Sequence, residues 1–120
     1  MAQALKGIAF TLLFTFLLTL LAAAAFRFPV PFAGLIGPFG ELQSLSLRDR
    51  LIASAQAWTF YSALSLGLVQ ILGGAALGLI AARLARTPAS RNASIAGMSL
   101  AFSLLVVLGL ATLDWFIGPW

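Results

Sequence analysis

Every charged side chain in this sequence stands at the edge of an apolar run, and none stands inside one. The charged positions are Lys6, Arg27, Glu41, Arg48, Asp49, Arg50, Arg83, Arg86, Arg91 and Asp114. The uncharged runs between them cover 7–26, 51–82 and 92–113. Each is long enough for a helix to cross a bilayer, which takes about 20 residues. A bilayer interior excludes charge unless function demands it. The pattern therefore predicts an all-α integral membrane protein of three transmembrane helices, built as a single membrane domain over 1–120.

The element boundaries follow from local signals. Helix one is expected over about 5–26, ended by Pro29 and Pro31, because proline and the residue before it disfavour continued helix. An interfacial connection over 27–46 follows, rich in Pro, Gly and Phe and apolar in its first half. Helix two is expected over about 47–84. Ser46 and Asp49 hold the capping-box spacing, with Asp49 in place of the usual Glu or Gln. Such a helix would be roughly 55 Å long at 1.5 Å per residue, against a hydrocarbon core of about 30 Å. Its first turns then lie outside the core, or it tilts or breaks, with Gly73-Gly74 the expected place for a bend. A turn over 85–91 contains Thr87-Pro88-Ala89-Ser90, and helix three runs over about 92–117, capped by Ser90 or Asn92.

Composition narrows the chemistry. The chain of 120 residues is 62% hydrophobic and 8% charged, with no Cys and no His. Disulfide, thiolate and iron–sulfur chemistry are excluded, as are His ligation of haem, chlorophyll-type pigment or zinc and the usual neutral-pH acid–base group. The net charge of +4 does not point to nucleic acid, because the cations flank apolar spans rather than forming a patch with its own fold.

Charge also orients the chain. With the N-terminus cytoplasmic, that side carries Lys6, Arg83, Arg86 and Arg91. The other side carries Arg27, Arg48 and Arg50 against Glu41, Asp49 and Asp114, which cancel. The whole excess then lies inside, as the positive-inside tendency requires. Trp58, Tyr61, Trp115 and Trp120 fall toward the opposite side and are expected as membrane–water interface anchors. The expected topology is N-terminus in and C-terminus out.

Candidate site residues are mostly packing residues. Thr11, Thr15 and Thr19 recur at steps of four on one face of helix one, continued by Ala22 and Ala23. Helix two carries a stripe of Ala63, Gly67, Gln70, Gly74, Gly78 and Ala82. Its Gly74–Gly78 spacing lets another backbone approach closely. Gln70 is the one strongly polar residue deep in a span. Its amide fits an interhelical hydrogen bond or, as the weaker cofactor-binding candidate, a bond to a cofactor carbonyl. Helix three has Gly97 and Ala101 on one face and Ser99 and Ser103 on another. Phe28, Phe32 and Phe39 mark the connection as a surface for the membrane or a partner.

No nucleophile–base pair, metal-ligand set or buried carboxylate pair is visible, so the expectation is a protein that is not an enzyme. It has no catalytic or metal residues and no cofactor of its own, though contact with pigment, quinone or lipid fits its surface. The leading expectation is an accessory subunit packed against other integral membrane subunits and lipid. Its host would be a larger, energy-converting complex, a photosynthetic antenna–reaction centre or a respiratory assembly. There it would stabilise assembly or a quinone or lipid path, in a bacterial inner or intracytoplasmic membrane. The alternatives are a small self-assembling, holin-like pore lined by the Gly67–Gln70–Gly74 stripe, and an assembly factor.

Overall fold

A computed structural model describes residues 1–25 and 46–117 of the chain, and all the regular elements among them are helices. Helix α1 spans Ala2–Ala25. Helix α2 spans Leu47–Leu84 and contains one wide π turn, Ser62–Leu66, between two α-helical sections. Helix α3 spans Pro88–Ile117. Each contains a segment long and apolar enough to cross a membrane, as the charge-free runs predicted.

The starts of α2 and α3 are set by side-chain caps. Ser46 accepts from the Asp49 N–H at 3.3 Å, and its hydroxyl donates back to the Asp49 carboxylate at 2.7 Å. The first bond is the N-cap half of the capping box expected from sequence, while the Asp49 carboxylate meets the Ser46 hydroxyl where a full box would bond the Ser46 backbone N–H. Helix α3 begins earlier than predicted. Thr87 accepts from the Ser90 N–H at 3.1 Å while the Thr87 N–H donates to Ser90 Oγ at 3.1 Å. Pro88 then occupies the first helical position, where its missing N–H costs nothing. The residues read as a turn are thus a cap and a first helical turn.

Helix α1 runs antiparallel to α2 and parallel to α3. Gln3 lies against Gly78, and Gly7 lies against both Gly74 and Gly78. At the far end the Arg50 guanidinium donates to the Ala23 carbonyl at 3.4 Å. Along α3, Lys6 Nζ donates to Asn92 Oδ1 at 3.0 Å, and Thr11 and Thr15 meet Ser103. Helix α1 therefore touches both neighbours along its length, and its most extensive interface is with the Gly67–Leu84 section of α2.

The predicted bend at Gly73-Gly74 is not where α2 departs from α-helix. The α-helical section Gly67–Leu84 passes through both glycines, and the irregular turn lies earlier, at Ser62–Leu66. Gly67 closes that turn by donating its N–H to the Ser62 carbonyl. A Cβ on Gly67 would fall on the same carbonyl oxygen. The π turn advances the helix by i→i+5 rather than i→i+4, and this changes which residues face inward. Ala53, Ser54 and Ala57 are buried before it, and Gly67, Gln70, Gly74, Gly78 and Ala81 after it.

Candidate functional site: the buried seam between three helices

Apart from Ile95 and Gln70, the inward-facing residues of all three helices are small or carry hydroxyls. On α1 these are Gly7, Thr11, Thr15 and Ala23, on α2 the set just given, and on α3 Ile95, Ser99 and Ser103, all buried. The outward surface carries the large aliphatic residues, including Leu64, Leu68 and Leu72 of α2 and Leu104, Leu105 and Leu108 of α3. The sorting is inside-out relative to a water-soluble bundle. It suits a lipid solvent, where close backbone approach and interhelical hydrogen bonds hold helices together.

The α1–α2 side of the seam is a backbone-to-backbone contact. A Cβ on Gly7 would strike the Gly74 carbonyl oxygen and stand 2.9 Å from Gly78 Cα. One on Gly74 would stand 2.8 Å from both the Gly7 carbonyl oxygen and Ile8 Cα. One on Gly78 would strike the Gln3 carbonyl oxygen and stand 3.2 Å from Ala4 Cα. Real Cβ contacts of this kind do not occur, so the crossing as built admits only glycine at these three positions.

The α1–α3 side is a hydroxyl ladder. Thr15 Oγ1 lies 2.7 Å from the Thr11 carbonyl oxygen, to which it donates, and 3.1 Å from Ser103 Oγ. The Ser103 hydroxyl donates to the same Thr11 carbonyl at 3.2 Å, and Ser99 donates to the Gly7 carbonyl at 3.5 Å. Thr19 donates to the Thr15 carbonyl at 2.8 Å within its own helix. Hydroxyls that bond back to the preceding turn while touching a neighbour satisfy themselves and still mark the interface.

Gln70 and Thr11 stand apart from this economy. Both are 0% exposed. Neither Gln70 Oε1 nor Nε2, nor Thr11 Oγ1, has a hydrogen-bond partner among the described residues.

Of the residues singled out from sequence, Thr11, Thr15, Gly67, Gln70, Gly74 and Gly78 share this seam, with Thr19 half-buried at its edge. Ala63 does not join them. It lies within the π turn and is exposed, because the extra residue per turn rotates it off the face that an unbroken helix would have given it. The inward alanine at the other end is Ala81, with Ala82 only half-buried. Trp58 is half-buried and packs edge-on against Phe16, ring centroids 5.1 Å apart. Tyr61 packs edge-on against Phe60 at 5.8 Å. Trp115 falls within α3. Trp120, Phe28, Phe32, Phe39 and the rest of the connection lie outside the described residues.

Sequence reasoning missed Gly7 and the role of Ser99 and Ser103 as the ladder's other side. Gly7 was available as one further step of four below Thr11. No local signal paired the serines with α1.

The described residues are thus all-helical in their regular structure, with three helices compatible with membrane insertion, packed around a seam of mostly small and hydroxyl residues. No protein-family model, curated protein or solved structure matches it.

Proposed function

We propose that the chain is a non-catalytic accessory subunit of a larger membrane complex, one that acts by packing. The observation that carries the reading is the direction in which its small and polar residues face. The glycine stripe and the hydroxyl ladder are used between its own helices, so the chain makes a bundle with a broad aliphatic exterior. The partner that fits that exterior is the apolar flank of another integral membrane subunit, with lipid filling the remainder. An energy-converting host is the preferred one, and contact with pigment, quinone or lipid belongs to the same reading.

The bundle gathers Lys6, Arg83, Arg86 and Arg91 at one end, since the start of α1, the end of α2 and the start of α3 lie together. That end is the cytoplasmic one by the positive-inside tendency. The proposed topology is N-terminus in, C-terminus out, in a bacterial inner or intracytoplasmic membrane. The pore alternative is disfavoured by the same geometry. A lumen lined by Gly67, Gln70 and Gly74 needs those residues open to it, and here all three are buried within the one chain, Gly74 against Gly7, Ile8 and Thr11 of α1.

Mild solubilisation of native membranes, followed by capture on a C-terminal tag, tests the proposal. Recovery of a stoichiometric complex with other integral subunits is expected, and its absorption spectrum identifies a pigmented or haem-containing host. Recovery only as a homo-oligomer that conducts ions in liposomes overturns it. Retention on a maturing intermediate alone favours an assembly factor.

A further inference from the structure

Among the described residues, the seam has a level of fully buried groups at which hydrogen bonding does not close. Gln70 is 0% exposed, and an amide carries two donors and an acceptor with two lone pairs. Thr11 is also 0% exposed, and its Oγ1 is the ladder hydroxyl without a partner among the described residues. Thr11 faces α2, and Gln70 lies on the α2 stripe that carries the glycine Thr11 faces. Thr11 Oγ1 stands over Gly74, 2.9 Å from where a Cβ there would be. Gln70 is one turn from Gly74 on the same face, and both are buried.

An unpartnered amide and an unpartnered hydroxyl in an apolar surrounding each carry the full desolvation cost of their lost bonds. Direct bonds from Thr15 and Ser103 are already committed to the Thr11 carbonyl. We propose that Gln70 and Thr11 form an internal hydration site, holding an ordered water between α1 and α2. Buried waters typically make about three hydrogen bonds to otherwise unsatisfied groups, and this site offers that number. Gln70 Nε2 donates to the water oxygen, and the two water protons go to Gln70 Oε1 and Thr11 Oγ1. The glycine at position 74 is part of the site, because a side chain there would press on the Thr11 hydroxyl. The site makes Gln70 a structural ligand of water rather than a direct interhelical clasp.

Proton-detected solid-state NMR of the wild-type chain in deuterated lipid bilayers tests this directly, because it needs no substitution to fold. Magnetisation transfer from water to the Gln70 side-chain amide protons is expected. Thr11→Val, which removes the hydroxyl and keeps the shape, should weaken that transfer, while Gln70→Met should abolish water transfer at the Thr11 hydroxyl. A direct cross-peak from the Thr11 hydroxyl proton to the Gln70 amide, without water transfer, overturns the site. Transfer to the amide only from lipid or from a co-purified quinone also overturns it, by placing a different occupant there.

Discussion

Glycine occupies two regions of this molecule with opposite consequences. At the α1–α2 crossing, Gly7, Gly74 and Gly78 lie so close that any added Cβ would meet backbone. On α3, a Cβ on Gly97 or Gly109 would meet nothing within 4 Å. The residue type is the same and both regions are apolar. What differs is whether a second backbone faces the position. Small residues in an apolar helix therefore mark an interface only where another helix faces them, as Gly7 faces Gly74 and Gly78 and the Phe102 ring faces Gly73.

The comparison can be broken most sharply at its tightest point. Gly78→Leu should separate α1 from α2, since a Cβ alone already strikes the Gln3 carbonyl and backbone cannot move aside as a side-chain tip would. The expected cost is about 3 kcal/mol, the upper range for overpacking, read as unfolding free energy by steric trapping in bicelles. Resistance to alkaline extraction should be unchanged, because apolar length is unchanged. Gly74→Leu should behave alike and loosen association with the proposed partner. A wild-type stability for either variant would remove the packing role of the stripe.

A smaller effect is expected at Gly67, where the obstacle is the helix's own Ser62 carbonyl. Gly67→Ala should cost on the order of 1 kcal/mol if the π turn is retained under strain. Amide hydrogen exchange across Ser62–Leu66 reads the change, and faster exchange confined to that turn is the expected outcome. On the hydroxyl side, Thr15→Val keeps the volume and removes the contact to Ser103. Interhelical bonds of this kind contribute about 0.6 kcal/mol on average, so a double-mutant cycle with Ser103→Ala should return a coupling of that order. The control is Gly97→Ala, which should be neutral or stabilise by roughly 0.5 kcal/mol by restricting the unfolded backbone. Destabilisation there would mean that α3 has a neighbour on that face.

Much of this was legible in the sequence, because the charge-free runs mark which segments are long and apolar enough to cross a membrane. The cap at Ser46–Asp49 and the stripes Thr11–Thr15–Thr19 and Gly67–Gln70–Gly74–Gly78 are local patterns that periodicity exposes. Three features were not legible. Thr87-Pro88 reads equally as turn or helix start, and the reciprocal bonds with Ser90 decide it. Ala63 follows the helical period only if the period is unbroken, and the π turn has no local signature except the glycine that closes it. The partnership of Ser99 and Ser103 with α1 is tertiary, set by which face of α3 meets which face of α1.

The central claim is that the small and hydroxyl residues are used within one chain. The sequence has no cysteine, so a Thr15→Cys, Ser103→Cys double variant carries only the two thiols of interest, at positions whose hydroxyl oxygens lie 3.1 Å apart. Oxidised in native membranes and run on a denaturing gel, it should form a disulfide within the monomer at high yield, with no dimer band. A disulfide-linked dimer as the main product, with the monomer left reduced, would contradict the account, because the ladder would then join two copies rather than two helices of one.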